Sequence, residues 1–273
     1  MIGYPRVSLP SVTAQGLAAL QASVIGAGSF SDQVASGKAL FKQHNSASNA
    51  LFGVVRDELF LLCGRTRRCA YCEDSMADEV EHIAPKDFYP DLVFEWENYL
   101  YACGPCNSSN KKAQWSVLSY GATDAIDVTR AARAPAISPP GGLFFFINPR
   151  IEDPMYFLQL DLKGGTGFYG IRPDLSAIDQ KRGEYTRRIL GLNSRAGLPE
   201  GRMSAYVYLR STLECYDREK AAGNLGNQSR IAEQERCIRD CSHRTVWKEM
   251  QRQRMQIAEL GPLFSRNPET LTW

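Results

Sequence analysis

A chain of 273 residues, 44% hydrophobic and 23% charged, is long enough to bury a substantial core, as one large domain or two modest ones. No run reaches the roughly 18 apolar residues of a membrane span, and the start, MIGYPRVSLPSVTAQG, has no apolar leader core after a basic segment, so a cytoplasmic protein without a membrane is expected. With 32 basic and 30 acidic residues, a net charge of only +2 excludes a broad basic surface, and any nucleic-acid contact must rest on local clusters.

Residues 1 to 28 are punctuated by Pro, Gly and Ser and predict little beyond a short helix near TAQGLAALQASV. Residues 29 to 63 then turn helical: SFSDQVASGKALFKQ opens at a Ser or Asp cap, and ASNALFGVVRDELFLLCG ends at Gly64. Residues 121 to 142 are rich in Ala, Pro and Gly and read as a connector. GLFFFINPRIEDP predicts a short buried strand ending at Asn148-Pro149, and MYFLQLDLKGGTGFYGIRP predicts a β-hairpin around its Gly-Gly pair. A helix over SAIDQKRGEYTRRILGL opens at Asp174 or Ser176. GRMSAYVYLRSTLECYDREKAA and the long SRIAEQERCIRDCSHRTVWKEMQRQRMQIAEL follow as helices, separated by residues 223 to 228 and closed by Gly261-Pro262. The fold class is α+β, mainly helical. Four regions are expected: an N-terminal helical segment (1 to 64), a motif region (65 to 120), the connector (121 to 142), and a β-hairpin with C-terminal helices (143 to 273).

The chemistry concentrates in the motif region. Cys69 and Cys72 form one C-x-x-C and Cys103 and Cys106 a second, with thirty residues between the pairs. Each pair can turn two thiolates toward one tetrahedral ion, and together they close a four-cysteine zinc site. Such a site has no open position, so it staples the fold and does no chemistry itself. In a reducing compartment the other four cysteines are bystanders rather than a disulfide framework.

Between the pairs, EVEHIAPKDFYP reads as a short strand running into a loop broken by Pro85 and Pro90. FEWENYLYACGPCN then leads to the second pair, and CNSSNKKAQW reads as a short polar, basic helix. This order resembles the four-cysteine zinc form of the HNH endonucleases over residues 69 to 115. Their ββα-metal core carries a Glu/Asp-His pair, a later Asn, and a C-x-x-C-N segment followed by basic residues. The phrases CAYCED, EVEHIAPK, EWENYLYACGPCNSSNK, INPRIEDP and ILGLNSR are, more weakly, similar to the HNH subunits of Septu-type and retron-associated anti-phage systems, which pair the nuclease with an ATPase subunit.

The resemblance implies a ββα-metal core and a role for each matched residue. Opening a phosphodiester needs a base for the attacking water and a cation beside the developing charge. His82 is the expected base, since a neutral imidazole is available near pH 7. Glu81 is the expected ligand of a hard Mg²⁺ or Mn²⁺ ion, with Asn107 supplying a second oxygen. Asn98 matches the middle Asn that ties down the loop. Lys86, Lys111 and Lys112 are placed to meet phosphates, so DNA and an ATPase subunit are the expected partners. An ideal strand points adjacent Glu81 and His82 to opposite faces, whereas both must reach one phosphate, so the strand is expected to end or twist there.

Other residues are read as structural: Trp96 and Trp115 as core, His44 and His243 as structural or surface, Asp78 and Glu79 as solvated, though either could replace Glu81 as metal ligand if Glu81 points away, and Cys237 with Cys241 as small thiols on one helix face. Gly191-Leu192-Asn193 reads as turn and cap. Two rival readings stand beside the nuclease. One is a zinc-stapled nucleic-acid-binding or scaffold module without cleavage, which needs only the cysteines. The other is a stand-alone restriction-like or mobile-element HNH enzyme.

Overall fold

Capping and apolar spacing set the first three helices, α1 (Ser11–Ile25), α2 (Phe30–His44) and α3 (Ala50–Leu62). Ser29 and Asp32 form a reciprocal capping box at the start of α2, and Asn49 Oδ1 accepts the Phe52 amide at 3.0 Å to start α3. The stripes Val34, Gly37 and Phe41 on α2 and Phe52, Val55, Leu59 and Leu62 on α3 recur every three or four residues and are buried. The N-terminal region is thus more regular than its Pro/Gly content suggested, because α1 alone runs for 15 residues. The computed structural model describes every residue except Ala132 and Asn224, and Leu225 without its side chain. Part of the expected connector and of the expected break at 223 to 228 therefore lies outside the described residues.

After α3 come β1 (Glu79–His82) and β2 (Tyr99–Ala102), an antiparallel pair with Glu79 opposite Ala102 and His82 opposite Tyr99. A loop with two short 3-10 turns joins them, and a π-helix spans Pro105–Lys111. There the Lys112 amide donates to the Asn107 carbonyl at 2.7 Å, an i to i+5 bond, and Lys112, at φ 47°, ends the helix.

The second sheet was not foreseen. β3 (Ser116–Ser119) lies between β4 (Ile126–Asp127) and β5 (Gly142–Phe144), so the connector contributes a strand. The strand expected over the LFFFI run is accordingly short: Leu143 is exposed, and burial begins at Phe145, beyond β5. The expected hairpin forms as β6 (Leu158–Leu160) and β7 (Tyr169–Ile171). Its first residues are taken by a one-turn helix, α4 (Pro154–Phe157), capped by Asp153, and its connection is an eight-residue loop pinned by Asp161 rather than a tight turn.

Ser176 Oγ accepts the Asp179 amide and opens α5 (Ala177–Ile189), and α6 (Leu198–Ala222) follows. The long helix expected near the C-terminus is broken into α7 (Gln228–Arg239) and α8 (Arg244–Gln253), because His243 adopts φ −98°, ψ 68° and starts a new axis. Gly261-Pro262 lies inside α9 (Leu260–Arg266), where Pro is tolerated because a first-turn amide has no partner to lose. The chain is α+β, with roughly half its residues in helices and three small sheets. One buried cluster runs from Leu17 and Phe52 through Tyr99 and Trp115 to Leu209 and Phe264, and the β1/β2 pair sits within it.

Candidate functional site

The four cysteines of the two C-x-x-C pairs are brought together. Cys69, Cys72, Cys103 and Cys106 are buried, and their sulfurs all lie within 4.8 Å of one another. Cys72 Sγ and Cys103 Sγ are 3.9 Å apart, close to the edge of about 3.8 Å of a tetrahedron built on zinc–sulfur bonds of about 2.3 Å. All eight cysteines are free thiols. Local turns fix the geometry: the Glu73 amide donates to the Cys69 carbonyl at 2.8 Å, and the Cys106 and Asn107 amides both donate to the Cys103 carbonyl at 3.0 Å. Hydrogen bonding with Cys103 first, then with the other cysteines, pulls the Cys72 pKa down and pushes that of Cys106 up, so the four thiols compete for their protons. A divalent cation removes that conflict by taking four thiolates, so the cluster fits a structural zinc ion.

The strand leaving this cluster sends alternate residues to opposite faces. Glu79 and Glu81 share the face covered by the π-helix. Glu81, 2% exposed, accepts from Lys111 Nζ at 2.7 Å and from the Tyr71 hydroxyl at 3.2 Å. Burial raises the Glu81 pKa, and the Lys111 charge opposes the rise. Lys111 is 0% exposed, donates also to the His82 carbonyl at 2.9 Å, and lies 5.6 to 5.7 Å over the rings of Phe146 and Trp115. It is therefore not a surface phosphate contact: the π-helix turns it inward, where the Glu81 carboxylate offsets its charge. Lys112 is exposed. Lys86 is half-buried, with Nζ 5.3 Å from the centre of the Phe41 ring.

Glu79, expected in solvent, instead accepts from Asn107 Nδ2 and Ser108 Oγ, each at 2.7 Å. Asn107 thus lies against Glu79, while Glu81 is held by Lys111. Asp78 is exposed.

His82 faces the other way, as the alternation of the strand dictates, so β1 does not twist to bring Glu81 and His82 together. Its ring, 4% exposed, sits against Phe41 (centroids 4.4 Å apart) and Tyr99 (5.2 Å), and its Nε2 is 2.9 Å from the Val93 carbonyl. A carbonyl can only accept, so Nε2 carries the proton and Nδ1 keeps the lone pair. Burial, then the Lys86 charge, hold the imidazole well below its ordinary pKa and therefore neutral. Asn98 anchors the loop that carries Val93: its Oδ1 accepts the Ala84 amide at 2.7 Å, and its Nδ2 donates to the carbonyls of Ala84 and Leu92 at 3.0 and 2.9 Å.

The remaining residues fall outside the site. Trp96 and Trp115 are buried, donating to the Val7 carbonyl and the Tyr89 hydroxyl. His44 contacts Asn49, and His243 caps α8. Cys237 lies in α7 and Cys241 beyond its end, so the two do not share one helix face. Among the described residues, the four cysteines alone form a group of three or more metal-binding side chains.

A stretch of 64 residues is 42% identical to the Septu protein PtuB of Bacillus thuringiensis. It covers 22% of this chain and 25% of that protein, so the chain matches a quarter of its relative's length. No family model and no solved structure matches the chain. The match relates the chain to a Septu protein, and the geometry adds Ser108 and Tyr71, with Lys111 in a buried role that the sequence could not show because it depends on the π-helix.

Proposed function

We propose that this protein is an HNH endonuclease with a ββα-metal core that hydrolyses phosphodiester bonds in DNA, acting as the nuclease of an anti-phage defence system with an ATPase subunit. The similarity to a Septu protein supports the setting. The observation that carries the chemistry is the fixed tautomer of His82: a neutral imidazole, held by the Val93 carbonyl through Nε2, leaves its lone pair on Nδ1. A general base needs a free lone pair to take a proton from water, and burial weakens this one, so the ring must be opened to water before it acts. A scaffold needs only the cysteines.

The oxygen donors present fit a hard divalent ion in a particular way. Mg²⁺ takes one or two protein ligands and keeps several waters, and Asn107 stands against Glu79 on the half-exposed side of the strand face that also carries Glu81. Glu79 would hold the ion with Asn107 once the Asn107 amide, which now donates to Glu79, turns its oxygen to the site, and Glu81 would join on release from Lys111. Bound there, Mg²⁺ or Mn²⁺ would neutralise charge developing on phosphate. Asn98 positions the loop, and Lys86 and exposed Lys112 are the cations left to meet the DNA backbone. Because the His82 ring is closed in by Phe41, Tyr99 and the loop anchored on Asn98, we read the free chain as a nuclease opened by its partner or by DNA.

The test is incubation of the zinc-loaded protein, alone and with the ATPase encoded beside it, on plasmid DNA and on RNA with Mg²⁺ or Mn²⁺. Nicking of DNA is expected, with a rise in the metal concentration needed for Glu79→Gln, for Glu81→Gln, or for both. Intact DNA and RNA under every metal and partner condition would leave the scaffold reading in place.

A further inference from the structure

The segment Leu190 to Arg195, which contains the Gly191-Leu192-Asn193 turn and cap, lies against the cysteine cluster. Gly191 has φ 61°, and a Cβ there would stand 2.9 Å from Asn110 Nδ2. Only glycine allows this approach, in which Asn110 of the π-helix donates to the Leu190 carbonyl at 3.1 Å. Asn193 pins the same segment to β7 through the Tyr169 amide and carbonyl at 2.8 and 2.9 Å, and Arg202 of α6 donates to the Leu192 carbonyl at 2.7 Å. The turn is thereby held rigidly, and it delivers one charged side chain to the sulfurs: Arg195 Nη1 lies 3.2 Å from Cys106 Sγ, while Nη2 donates to Ser75 Oγ at 3.1 Å.

We infer that Arg195 is a positioning residue for the metal in the four-cysteine site, a fixed cation that donates to the Cys106 thiolate and ties the C-terminal half of the chain to the metal. This inference rests on the zinc reading of the cluster. Four thiolates around a divalent zinc carry a net charge of about −2, which is costly in a buried site unless donors and a cation face it. Arg195 supplies both at once. Its second prong, on Ser75 beside the first C-x-x-C, makes the guanidinium a bridge between the two knuckles. Outer partners of metal ligands commonly contribute 10- to 100-fold in metal affinity. Asn110→Ala separates this role from simple docking, because it releases the same turn without touching sulfur.

The experiment first measures the zinc content of purified wild-type protein, then the rate of zinc loss to a chromophoric chelator, and then the thiolate-to-metal charge-transfer band of the cobalt-substituted protein. Arg195→Ala is expected to lose zinc at least about tenfold faster and to move the cobalt band to longer wavelength, since a sulfur without its donor releases charge more easily. Arg195→Lys should fall between, and Asn110→Ala should leave the band in place. Arg195→Gln gives the same two readings if the alanine variant does not fold. Unchanged zinc loss and band position in Arg195→Ala, or faster loss with an unmoved band matched by Asn110→Ala, would overturn the role of Arg195. Wild-type protein without zinc would instead overturn the metal reading of the cysteines, and this inference with it.

Discussion

At the scale of single residues, the pair formed by Glu81 and Lys111 joins the proposed site to the stability of the fold. Both are buried and 2.7 Å apart, so removing one leaves the other as an uncompensated buried charge. Lys111→Met should destabilise the protein by about 3–5 kcal/mol, and adding Glu81→Gln should restore part of that loss, because the pair as a whole is nearly offset by its own desolvation. Urea denaturation of the two single variants and the double variant measures this, and strictly additive losses would contradict it. The cysteine cluster could be picked out from spacing and residue type, whereas His82, Asn98 and Asn107 were singled out through the resemblance to HNH endonucleases. The burial of Lys111 and the engagement of Glu79 could be read from neither, because a Lys-Lys pair or an acidic run looks solvated until the helix type is known. Under the i to i+5 bonding of the π-helix, one lysine turns inward and its neighbour outward.

At the scale of elements, local signals and long-range pairing had different fates. The caps at Ser29, Asn49 and Ser176 are local chemistry and mark where their helices start. β3, by contrast, is four residues long and pairs with strands across a Pro/Gly-rich stretch, so no local pattern announced it. Its dependence on the far strand is concentrated at Gly142, where a Cβ would fall 2.1 Å from the Leu118 carbonyl oxygen. Gly142→Ala should therefore cost about 1–3 kcal/mol as backbone is forced apart, read as a lower urea midpoint. An unchanged midpoint would show that β3 and β5 are not in register there. The break between α7 and α8 falls on Asp240, Cys241, Ser242 and His243, all weaker helix formers than the Gln-, Glu- and Arg-rich stretches on either side, and that short dip is easily passed over inside a long helical pattern. For the cysteine knuckles, Cys103→Ser should lose cooperative unfolding as well as metal, since structural metal binding is itself folding free energy. Retention of a sharp thermal transition in that variant would count against the staple.

At the scale of the whole molecule, buried His82 and partly buried His243 give stability a defined pH dependence. Burial holds both His82 and His243 below the ordinary imidazole value. Above about pH 6.5 each is neutral in folded and unfolded chain alike and adds no pH dependence. Below that, the unfolded chain binds protons that the folded chain refuses. Stability should then fall with pH by up to about 1.4 kcal/mol per unit for each histidine, until its folded pKa is passed. Urea midpoints at pH 7.5 and 5.5 should show the loss, and His82→Gln should remove the larger part of the histidine share, since His82 is depressed further than His243. A flat response would mean that the rings are hydrated.

The packing that depresses His82 keeps its imidazole neutral but buried, so the proposed role as a base requires that packing to open, and fold and proposed function meet at this one ring. Loss of a general base typically costs 10²- to 10⁴-fold in rate. The decisive measurement is the initial rate of plasmid nicking by zinc-loaded wild type and His82→Ala, with Mg²⁺ or Mn²⁺ and with or without the proposed ATPase partner. The account predicts a fall of at least about 10²-fold in a variant that keeps its zinc and its fold. Equal rates would contradict it.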